Sequence, residues 1–187
     1  MATATINWTP DGGADSQDQG VYYKTMQASG WTLSSTVGAT IDTATINGLS
    51  DNVVYQFRVT NNCVFGYNAN SDPIEAINIT CPVVTVDPTI DTVDFSFNHL
   101  GGDISHYTVE LLNASDTVIG SNDFPSPGAV ISGTFTGLFP VTNYKVRVTV
   151  FATGVYIPSF SKVCTPVPVT TDAVVCNAAS GLTVGMS

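Results

Sequence analysis

Positive charge is almost missing from this chain: Lys24, Arg58, Lys145, Arg147 and Lys162 are its only basic side chains, and the formal net charge is −10. Five scattered cations cannot neutralise a phosphate backbone, so a nucleic-acid partner is excluded. They also give no reason to expect an anionic membrane as partner. Long apolar runs are missing too, which excludes a membrane-crossing helix. No window carries a sustained apolar stripe at helical spacing, so little or no helix is expected. The opening stretch, Met1 to Trp8, has neither a basic nor an apolar leader region. It is not read as a signal peptide, and synthesis in a cytoplasm without an export signal is expected. On that reading the sequons at Asn7, Asn78 and Asn113 carry no information.

What is present points to strands. Hydrophobic residues make up 43% of the 187 positions and charged residues only 11%. That leaves Thr, Ser, Asn and Gly to carry the polar surface, residues that suit strands and turns. The segment from Gly48-Leu49 to Tyr55-Gln56-Phe57-Arg58-Val59 recurs as Gly137-Leu138 to Tyr144-Lys145-Val146-Arg147-Val148, an offset of 137 − 48 = 89. The same offset carries Trp8 onto Phe97. A repeat at that period predicts two copies of one small domain.

Each copy alternates apolar and polar residues in short runs separated by turn signals. Strands are expected at Ala4–Trp8, Val21–Thr25, Trp31–Leu33, Thr43–Ile46, Val54–Thr60 and Ile74–Thr80. In the second copy they are expected at Val83–Val86, Val93–Phe97, Tyr107–Leu111, Thr117–Ile119, Val130–Phe135, Asn143–Val150 and Val169–Val175. Alternation about Tyr55, Phe57 and Val59 places Gln56 and Arg58 on the solvent side. The fold class is all-β.

The buried aromatic of the second strand (Trp8, Phe97) and the Gly-Leu-x5-Tyr-x-Phe/Val-x-Val block resemble the fibronectin type III family. The resemblance covers almost the whole chain. It implies two tandem fibronectin-III/Ig-like β-sandwiches of strands A, B, C, C′, E, F and G. It makes Trp8, Leu49 and Tyr55, with Phe97, Leu138 and Tyr144, the core anchors, the two tyrosines as corner residues bonding back to upstream backbone. It implies no particular ligand.

Residues 82–176 have room for an A strand, whereas residues 1–81 do not, so the first sandwich is expected to lack that edge strand. The segment 177–187 looks surplus. Within it Gly181-Leu182-Thr183-Val184 sits where an A strand would follow Cys176, the counterpart of Cys81. Donor-strand exchange is expected: this tail of one subunit supplies the A strand of the next. Burying Leu182 and Val184 would add roughly 1.5–3 kcal/mol each. A free tail, or a tail closing on its own chain, is the alternative.

The four cysteines, Cys63, Cys81, Cys164 and Cys176, match no zinc spacing. The resemblance places Cys164 in an F–G loop facing the end of the first domain, near Cys81, and by the same reasoning Cys176 of one subunit near Cys63 of the next. One bridge within the chain and one between subunits is one outcome; four reduced thiols is the other.

Candidate chemistry is thin. His99 and His106 read as ordinary loop histidines. The acidic loop from Asp11 to Asp18 lacks the spacing of a calcium loop and reads as solvated. Trp31 is expected near the surface. No cysteine has a histidine nearby in sequence, and there is no phosphate loop or nucleophile elbow. No catalytic residue, metal or cofactor is expected. The expected function is non-enzymatic: an assembly protein, most specifically a phage virion component in capsid decoration or tail, with itself or other virion proteins as partners. Alternatives are a subunit of an extracellular donor-strand filament and a glycan- or protein-binding accessory module using Tyr67, Asn68, Ala69, Asn70 and Tyr156.

Overall fold

The structure is a computed structural model, and it describes residues 1–10, 16–66, 68–125, 127–157 and 159–175. The tail carrying Gly181 to Val184, together with Cys176, lies outside the described residues, as do Asp11 to Asp15 and Tyr67.

The chain forms two β-sandwiches in series. The first begins with β1 (Ala2–Asn7), β2 (Ser16–Thr25), β3 (Thr32–Gly38), β4 (Thr43–Leu49) and β5 (Tyr55–Cys63). After a 3-10 turn at Val64–Gly66 it ends with β6 (Asn68–Asn70) and β7 (Ile74–Ala76). One of its sheets is β3-β2-β5-β6, with β7 also on β5; the other is the antiparallel pair β1-β4.

The second sandwich contains β8 (Thr85–Pro88), β9 (Thr92–Asn98), β10 (Ile104–Asn113), β11 (Val118–Phe124) and β12 (Val130–Thr136). It closes with β13 (Asn143–Ala152), β14 (Phe160–Val163) and β15 (Val167–Thr170). Its sheets are β11-β10-β13-β14, with β15 on β13, and β12-β9-β8. This is the seven-strand arrangement expected, with one difference. The last strand of each domain is broken into two pieces on the same neighbour, β6 and β7 on β5, β14 and β15 on β13. Pro73 and Pro166 lie in the breaks, where a residue without an amide proton cannot continue a ladder.

Alternation builds both cores. In β13 the buried positions are Tyr144, Val146, Val148, Val150 and Ala152, with the residues between them half-exposed or exposed. They pack against Val93, Phe95 and Phe97 of β9, with Val84 and Val86 closing the edge. The first core is smaller: Ile6, Val21, Ile46, Leu49, Tyr55 and Phe57. Leu138 is half-buried against the second core. Trp8 differs from its counterpart. Phe97 is buried, but Trp8 lies half-buried just beyond β1, packed against the rim of the first core. Its indole Nε1 donates to Gln19, whose own amide donates to Ala39 O at 2.6 Å. A polar tip that needs a partner holds the ring at the rim of the core.

The tyrosine corners are present in both copies. The Ser50 amide donates to the Tyr55 hydroxyl at 3.1 Å, and the Phe139 amide donates to the Tyr144 hydroxyl at 3.1 Å. Gly48 and Gly137, at φ 77° and 73°, start the two turns in the left-handed region.

Candidate functional site: an open sheet edge and an interdomain clamp

The two domains differ at one edge. In the second, β8 covers β9, with Thr85 opposite Ser96 and Val86 opposite Phe95. By the offset of 89, Ser96 and Phe95 correspond to Asn7 and Ile6 of β1. Among the described residues β1 pairs only with β4, so its outer edge presents unpaired backbone groups. A groove of about 380 Å³ runs along that edge. Ala2 and Ala4 form one wall, Ala76 and Ile77 another, and Leu49, Tyr55 and Phe57 line it.

The second feature is the junction between the domains. Glu75, on β7, is buried. It accepts hydrogen bonds at 3.0 Å from the Gln56 side chain and from the amides of Val155, Tyr156 and Ile157 in the second domain's F–G loop. Burial alone would raise its pKa; the Gln56 amide and the Ile157, Val155 and Tyr156 N–H groups outweigh this and hold it below the ordinary carboxylate value. Gln56 is therefore buried, which corrects the expectation that it faces solvent. Alternation gave its face of the sheet rightly, but that face is covered by Glu75 and the loop beyond it. Arg58 is half-buried: its guanidinium lies 4.5 Å from the Trp31 ring centre and 5.3 Å from that of Tyr22. Trp31 is likewise half-buried, just before β3.

On the other side of the junction, Asp103 reaches back into the first domain. Its carboxylate accepts from the Val54 amide at 2.6 Å and from Gln27 at 2.9 Å, and its amide donates to Asn52 O at 2.8 Å. Gly102, at φ 64°, makes this approach possible, because a Cβ there would collide with the Asn52 carbonyl. Lys162 donates to Ile79 O at 2.6 Å, and Ile79 is buried in the second domain's core.

Cys81 and Cys164 are joined by a disulfide across this junction. Cys164 follows β14 and is not in the F–G loop: its amide donates to Val148 O at 2.9 Å. In the first domain the Ser71 amide donates to Val59 O, the counterpart of Val148. Ser71, not Cys63, therefore occupies the place of Cys164, and the reasoning that set Cys176 beside Cys63 of a neighbour does not hold. Cys63 is half-buried with a free thiol at the end of β5.

The histidines are not loose loop residues. His106 lies in β10 and stacks on Phe151 at 4.1 Å. His99 Nδ1 is 2.9 Å from the Tyr107 hydroxyl, which also accepts the Leu100 amide. Both are half-buried packing groups. Among the described residues no three His, Cys, Asp or Glu side chains are grouped to hold a metal, and no helix is long and apolar enough to cross a membrane. Asn68 to Asn70 form the exposed β6, and Tyr156 is exposed beside the clamp.

These features define the class: an all-β chain of two tandem Ig-like sandwiches joined by a bonded junction. No family model and no curated protein matches it. Among solved structures, the two-domain fibronectin type III segment of chicken tenascin resembles it with a TM-score of 0.50 at 14% identity, over 87% of this chain and 91% of that one. The FN1-FN3 domains of chicken CNTN1 align at 16% identity over 91% of this chain, which spans 60% of that fragment, with a TM-score of 0.40. The tenascin likeness shows the fold: two fibronectin-III-like domains in tandem.

Proposed function

We propose that this protein is a non-enzymatic assembly subunit, and that it joins copies of itself by strand addition at the open edge of β1. The observation that supports this most directly is the contrast, among the described residues, between β1, paired on one side, and β9, paired on both. The occupant is the segment Gly181-Leu182-Thr183-Val184 of another copy. Leu182-Thr183-Val184 is similar to Val84-Thr85-Val86, the segment that closes the same edge in the second domain. In that register Thr183 lies opposite Asn7 and Val184 opposite Ile6, and the residues that follow Val184 run along the groove beside Ala4 and Ala2. Such a contact is heterologous, so repeated donation makes a ring or an open filament. The setting we propose is a virion, in capsid decoration or tail, in keeping with the sparse charge and the surface rich in Thr and Asn.

Light scattering on the full chain and on a chain ending at Cys176 tests the reading. Concentration-dependent oligomers from the first and a monomer from the second are expected. Equal masses for the two, whatever their value, would overturn strand donation.

A further inference from the structure

Among the described residues, the internal junction has an uncovered counterpart at the other pole of the second domain. In the first domain, the turn after Leu49 meets the second domain: Asn52, at φ 62°, gives its carbonyl to Asp103. Its amide donates to Asn78 O. At the offset of 89, Val141 repeats this turn, with φ 52° and its amide donating to Asp172 O. The residue two before Cys81, Ile79, is buried in the neighbouring domain. The residue two before Cys176, Val174, is 58% exposed. Phe139 stands in the place of Ser50 and is 75% exposed, and Val141 is 66% exposed.

These side chains share one pole. The Leu138 amide donates to Asp91 O, the Asp172 amide to Thr89 O, and the Thr171 hydroxyl to Phe139 O. The A–B turn, the E–F turn and the end of the last strand are thus tied together. Apolar residues held outward on a bonded frame mark an interaction surface.

We infer that this pole, around Phe139, Val141 and Val174, docks against the first domain of a second copy of the chain, repeating between copies the junction that exists within one. The occupant follows from continuity with the internal interface: 89 residues earlier the same turn meets a domain of this fold at Asn52, which is buried there, while Ser50 stays exposed at the rim. The inference deepens the assembly reading and rests on it. The contact between copies is the weaker of the two. The β13 position matching Gln56 is Lys145, opposite Pro168, so the Glu75 clamp is not repeated. Burial of the three apolar side chains therefore carries the contact, and the association is reversible.

Sedimentation velocity over a concentration series separates this from strand donation. The chains compared are the unaltered one, the one ending at Cys176, and Phe139→Asp/Val174→Asp, with Phe139→Ser as a milder variant. Both altered side chains are exposed, so the melting temperature of each variant should match the parent. The inference predicts self-association of the unaltered chain, weakened at least tenfold in the double variant and to a smaller extent by Phe139→Ser. It is overturned if the double variant associates as tightly as the parent, or if the parent stays monomeric at millimolar concentration. A chain ending at Cys176 that associates like the parent, while the double variant does not, would sink strand donation and leave this pole standing. The reverse pattern would sink the pole and leave strand donation.

Discussion

Glu75 accepts the Ile157 amide proton at 3.0 Å, although the two residues are 82 positions apart and belong to different domains. A carboxylate buried at a junction and satisfied by four donors fixes the angle between two modules that tandem repeats often leave free. Replacing it with alanine strands the Gln56 side chain and three backbone amides. Glu75→Ala should therefore cost about 2–4 kcal/mol in urea unfolding, with the loss confined to the interdomain contact.

The same group makes stability depend on pH in a defined direction. Its folded pKa lies below the ordinary carboxylate value, so its contribution is fully present above the unfolded pKa of about 4.3. It is lost as pH falls through the lower folded value. Melting temperatures measured between pH 6 and pH 3 should fall more steeply for the parent than for Glu75→Gln. Parallel curves would contradict the clamp.

The disulfide crosses the junction and closes a separation of 83 residues. Cys81→Ser/Cys164→Ser should lower stability by about 3–5 kcal/mol, measured by thermal unfolding. Reductant should lower the parent's melting temperature and leave the variant's unchanged. Alkylation of the folded, oxidised protein should label Cys63 and spare Cys81 and Cys164.

Val141 is a β-branched residue in the left-handed region, where Asn52 serves in the first domain. The backbone cost of that position is about 1 kcal/mol or more. Val141→Asn should raise the unfolding free energy by about 1 kcal/mol in chemical denaturation. A loss of stability would mean that the side chain has packing partners in the isolated chain.

Much of this fold is legible in the residues themselves. The offset of 89 shows the tandem repeat, alternation locates most strands, and the paired tyrosines locate both corners, because each signal is local or repeated. The breaks in the last strands are missed, although Pro73 and Pro166 mark them. The clamp is invisible in sequence. Nothing around Glu75 or Asp103 distinguishes a carboxylate that will meet another domain's amides from one that faces water. Gln56 shows the same limit, since period two assigns a face but does not say what covers it. Trp8 packs against the first core but is only half-buried, for a different reason: its indole needs an acceptor, and Gln19 supplies one at the rim. Of the junction, only the Cys81–Cys164 pairing has a counterpart in the reading of the residues, as one of two outcomes.

Strand donation is tested most directly by a cross-link between two separately prepared chains. With Cys63 and Cys176 changed to serine, one chain carries Asn7→Cys and the other Thr183→Cys, the pair expected opposite each other across the open edge of β1. Mixing and mild oxidation should give a covalent heterodimer as the main product, competed away by excess unaltered chain. If only the symmetric disulfides form, or none, while both chains remain folded, the tail of one copy does not complete the first domain of another.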